Sequence, residues 1–245
     1  MLGNGGGVNI AAGDTHAPAE RGGSVRISAG HGFSADDDNG GDGGGIVIAA
    51  GRAYGTASSD SGGSVELVAG QAESGSGGSV RIVSGSSATG SSGHAQVLSA
   101  ASTGTTGDVR LQSGYSSVES SGTAVVSTGV AEHGQSGDVA LSTGDALQAG
   151  SFRFMGGLSR ANGQVGGGIA MTTGSSTSGQ SGMVNIGTAS GAPLGSGHVA
   201  IYTGDSTASS GNVKVSSGDA HTDAGSVSLL AGSSSKGAGG HIRLV

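Results

Sequence analysis

Three carboxylates crowd one stretch of the chain. Asp36, Asp38 and Asp42, with Gly40 among them, lie inside the run GHGFSADDDNGGDGG at residues 30–44. Alternating aspartates broken by glycine approach the spacing of calcium loops, where carboxylate oxygens wrap a hard cation. The run lacks the terminal glutamate of an EF-hand, so a solvated acidic turn is the competing reading. Calcium is the one cofactor the sequence suggests.

Other chemistry finds no foothold. The seven histidines (16, 31, 94, 133, 198, 221 and 241) are scattered without metal-ligand spacing. Lys214 and Lys236 are the only lysines, and neither sits in the G-K-[ST] context of a phosphate-binding loop. Cysteine is absent, which removes disulfides and thiolate metal sites. Aromatics make up 2% of the chain and do not interleave with a basic track, as single-stranded nucleic acid would need. A net charge of −7 gives no general pull toward nucleic acid or acidic lipid. No run approaches the eighteen or so apolar residues of a membrane span, and MLGNGGGVNI shows no signal-peptide pattern. None of the six asparagines opens an N-x-[ST] sequon. No enzyme is expected.

What must position any function is a repeated phrase. Residues 137–144, GDVALSTG, return as GMVNIGTA (182–189), GHVAIYTG (197–204), GNVKVSSG (211–218) and GSVSLLAG (225–232). Apolar and variable residues alternate in each, the period of a half-buried strand. The flanking glycines mark where the chain can bend with positive φ at no steric cost. Sixteen such rows run from Val8/Ile10 to Ile242/Leu244, most often 15 residues apart. Phe152 and Phe154 fill both apolar slots of one row. Small residues such as Ala72, Ser87, Ser116, Ala131, Ser176, Ser206 and Ser234 recur two places past the second glycine.

Large slots opposite small ones predict an all-β fold, a narrow two-sided parallel β-solenoid (β-helix) of about sixteen coils. It would form one repeat domain over 1–245, with insertions at 31–43 and 158–165. The residue between the slots should point outward. Six of the ten Lys and Arg fall there (Arg26, Arg81, Arg110, Arg153, Lys214 and Arg243), never in adjacent rows, with Glu66 one coil from Arg81.

The phrase resembles the short-coil, Gly/Ser/Thr-rich β-solenoid repeats of surface and fibre proteins, the SG-x-V-x-L-x-TG arrays of algae and related eukaryotic microbes. That resemblance implies a passive extracellular or cell-surface role. The resulting expectation is a structural protein whose solenoid ends associate head to tail into a filament, sheath or adhesive. The alternative is a solenoid that binds ice, mineral or polysaccharide. Ice recognition needs a flat outward array, whereas Thr128, Thr143, Thr173, Thr188 and Thr203 alternate with the apolar slots and should point inward.

Overall fold

The computed structural model describes residues 5–34, 36, 40–190 and 195–245. The chain divides into two units by its internal contacts, Met1–Val125 and Val126–Val245. The same local grammar builds both.

Each row is an extended phrase followed by a loop, and in eight of the described rows a glycine pair closes the loop. In the first unit the amide N–H groups of Gly23, Gly44, Gly63, Gly78 and Gly93 donate to the carbonyls of Gly13, Gly30, Gly51, Gly70 and Gly85 at 2.8–2.9 Å. In the second unit Gly167, Gly182 and Gly240 bond Gly157, Gly174 and Gly232 in the same way at 2.8–3.0 Å. After the first row, six rows open on a diglycine: Gly22–Gly23, Gly43–Gly44, Gly62–Gly63, Gly77–Gly78, Gly166–Gly167 and Gly239–Gly240. All six make this clasp. A side chain on the first glycine of the pair would sit against the acceptor carbonyl, 3.3 Å away at Gly239 and 3.6 Å at Gly77. The clasp does not depend on that glycine, since Ser92 and Ser181 stand in its place before Gly93 and Gly182 and both clasps form.

The loops are capped from within. Ser87, Ser176 and Ser234 accept, through Oγ, the N–H of the glycine three residues on at 2.8–2.9 Å. Ser116 does the same for Glu119 at 3.1 Å. Such hydroxyl-to-backbone bonds hold a turn without any ladder partner. Where alanine replaces the serine, at 72 and 131, the glycine three residues on swings to positive φ, 146° at Gly75 and 138° at Gly134. The longer loops add a four-residue turn, Ala17 to Glu20, Ala57 to Asp60 and Ala161 to Gln164. The insertions therefore sit inside clasped loops.

The expected parallel β-solenoid, or β-helix, is not formed. The described residues contain neither helix nor strand. Every backbone–backbone hydrogen bond among them closes a loop within one row, and none joins a phrase to its counterpart one row away. A coil stack requires those inter-row bonds, since a strand exists only through a ladder partner about 4.8 Å distant. The inward assignment falls with it: no described residue is buried. Nor do the phrase-flanking glycines supply positive φ; Gly75, Gly134, Gly163 and Gly195, all inside loops, do.

Candidate functional site

The phrases are two-faced, and side-chain contacts establish it. The Phe152 and Phe154 rings meet edge to face with centroids 4.7 Å apart, so the two apolar slots share a side. Arg110 reaches Asp108 in an ion pair, which puts the flanking positions together on the other side. This is the only ion pair among the described residues, so Glu66 and Arg81 remain apart.

The apolar side is open to solvent in a regular way. First-slot Val65, Val139 and Val227 are 53%, 52% and 51% exposed, and second-slot Leu67, Leu141 and Leu229 are 68%, 65% and 67% exposed. Most of what little protection exists lies at the loop return, with Ser116 and Ser159 also half-buried within loops. Ala29, Ala69, Ser84, Ser99, Thr173 and Thr203, each four places past a first slot, are half-buried. A methyl group built on the incoming Gly182 would lie 3.1 Å from Thr173 Cβ, and one on Gly211 would lie 3.4 Å from Thr203 Cγ2. Of the threonines expected inward, Thr173 and Thr203 thus pack on backbone, while Thr128, Thr143 and Thr188 are exposed.

Large apolar side chains stand in water in row after row among the described residues.

The acidic run lies in the longest clasped loop. Its neck is pinched so tightly that a side chain on Gly32 would strike the backbone of Gly41, and the Gly41 amide donates to Ser34 O at 3.3 Å. The Asp36 amide donates to Ser34 Oγ at 3.4 Å. Asp42 lies on the returning side of the loop, and Asp38 is outside the described residues. No group of three His, Asp or Glu side chains gathers among the described residues. His221 and Asp219 line a shallow, open depression of about 300 Å³ with Ala220, without a third ionisable group.

The serine caps are the feature that composition concealed. Ser87, Ser116, Ser176 and Ser234 read as small packing partners in the sequence, yet their hydroxyls terminate loops. The signal was present in the serine–glycine spacing of three residues at 87/90, 176/179 and 234/237. Comparison with protein-family models, curated proteins and solved structures found no match.

Proposed function

We propose that this chain is a non-catalytic structural repeat protein, working outside the cell or on its surface, whose copies associate into a filament, sheath or adhesive. One observation carries the reading: an apolar pair stands exposed in row after row, from Val25/Ile27 to Ile242/Leu244. Burying such a series against another molecule is strongly favourable at about 25 cal/mol per Å², and the chain itself leaves half or more of each described pair in water. Repetition also makes the surface multivalent, so weak contacts per row add along the chain. The extracellular setting follows from the resemblance to surface and fibre repeats. Association through solenoid ends is no part of this proposal, because the coil stack that would create those ends is absent.

Sedimentation velocity across a wide concentration range, with negative-stain microscopy of the same samples, tests the reading. Concentration-dependent growth in mass is expected. A monomer at every concentration, with no filaments or sheets, overturns it.

A further inference from the structure

We infer that Asn162 is a self-modification site: its side-chain amide is lost through a cyclic imide, leaving isoaspartate and aspartate, which opens the turn at residues 161–164 and adds a negative charge to that loop. The inference goes beyond the proposed structural role and does not depend on it. Asn162 directly precedes Gly163, and both are exposed. Gly163 has φ 74°, and nothing lies within 4 Å of the position a Cβ would take there. The Gln164 amide donates to Ala161 O, so the four residues form a turn whose third position favours glycine. That bond measures 3.3 Å, long for an amide and a carbonyl, so the turn opens readily. The Gly163 amide has no acceptor among the described residues, and no side chain of its own shields the nitrogen.

The chemistry needs only water and base. The Gly163 nitrogen gives up its proton and attacks Cγ of Asn162. A bond forms between that nitrogen and Cγ, the bond from Cγ to Nδ2 breaks, and Nδ2 leaves as ammonia with the proton. Water then opens the imide ring at either carbonyl. Opening at Cγ leaves aspartate in an unaltered backbone. Opening at the backbone carbonyl leaves isoaspartate, in which the chain runs through Cβ and Cγ and gains an extra carbon. Overall one water is consumed and one ammonia released, with nothing oxidised or reduced. The added carbon moves Gln164 N–H out of register with Ala161 O, so the turn bond is lost. The other described asparagines lack this setting. Asn9, Asn185 and Asn212 stand in the extended phrases before Ile10, Ile186 and Val213, whose branched Cβ crowds the attacking nitrogen. Asn4 and Asn39 also precede glycine and lie outside the described residues.

Incubation of the full chain at mildly alkaline pH, followed by trypsin and fragment mass spectrometry, tests the inference; a sample digested without incubation sets the zero. Cleavage after Arg160 and Lys214 releases one peptide, 161–214, that carries Asn162, Asn185 and Asn212 together, so the controls share every handling step. The expected result is acid in place of amide at 162 while 185 and 212 keep their amides, with slower loss at mildly acidic pH. The same peptide should accept a labelled methyl group from an isoaspartyl methyltransferase. Gly163→Val should preserve the amide at 162. In the aged chain the Gln164 amide should exchange freely by NMR, while the clasped Gly182 amide keeps its protection. An amide at 162 that survives as long as those at 185 and 212 overturns the inference. So does acid at 162 without isoaspartate, a valine variant that converts as fast as wild type, or a Gln164 amide whose exchange does not change on ageing.

Discussion

Gly75→Ala gives the sharpest test of the loop grammar. Gly75 has φ 146°, a conformation L side chains rarely adopt, and nothing lies within 4 Å of the position a Cβ would take. Crowding therefore contributes nothing, and the effect is one of backbone strain alone. Holding a non-glycine residue in such a region costs about 1–3 kcal/mol. The loop it strains is closed by one backbone bond, Gly78 N–H to Gly70 O at 2.8 Å. A bond of that kind is worth about 0.5–1.5 kcal/mol net. Strain equals or exceeds the clasp, so the clasp should open. The readout is amide hydrogen exchange at Gly78 by NMR, where the variant should exchange as an unprotected amide. Gly90→Ala is the internal control. Ser87 Oγ caps the Gly90 amide at 2.9 Å and Gly90 has no positive φ, so the Gly93 amide should keep its protection. Adding Ala72→Ser to Gly75→Ala should recover part of the protection by supplying the missing cap. Unchanged exchange at Gly78 in Gly75→Ala, or equal loss in both single variants, would refute the reasoning.

Three further outcomes follow from the same description. Ile186→Asp alters a side chain that is 69% exposed, so circular dichroism of the dilute monomer should not change. Self-association should weaken at least tenfold, because about 1–2 kcal/mol of remaining apolar burial is lost at each contact and a charge is stranded there; sedimentation equilibrium reads the difference. Ala19→Gly should protect the Glu20 amide, which donates to Ala17 O at 3.4 Å, since Ala19 sits at φ 61° and relief of that conformation is worth about 1–2 kcal/mol; exchange at Glu20 checks it. Gly78→Val should weaken its own clasp, because a Cβ there would lie 3.2 Å from Gly70 N and 3.3 Å from Ala69 Cβ, whereas Gly77→Ser should spare it, since Ser92 stands at the equivalent place before the intact Gly93 clasp; exchange of the amide at 78 compares the two variants.

The repeat and the alternation within each phrase were legible in the residue order. Alternation at 152 and 154, or at 108 and 110, dictates which side chains share a side of an extended backbone, and the Phe152–Phe154 and Arg110–Asp108 contacts obey it. Local chemistry of that kind is set by neighbours two or three residues away, as are the serine caps at 87, 176 and 234. The partner of each phrase is a different matter. Val65-x-Leu67 has the same alternation whether it pairs with the row at Val80, with another molecule, or with nothing. The choice depends on how a loop such as 70–78 returns, and that is fixed by clasp geometry at Gly70 and Gly78 rather than by the phrase. Only the three-dimensional structure shows that the described phrases stay unpaired: eight loops are clasped within their own rows, and no backbone bond runs from one row's phrase to the next, although the clasp leaves the phrase's own N–H and C=O groups unspent.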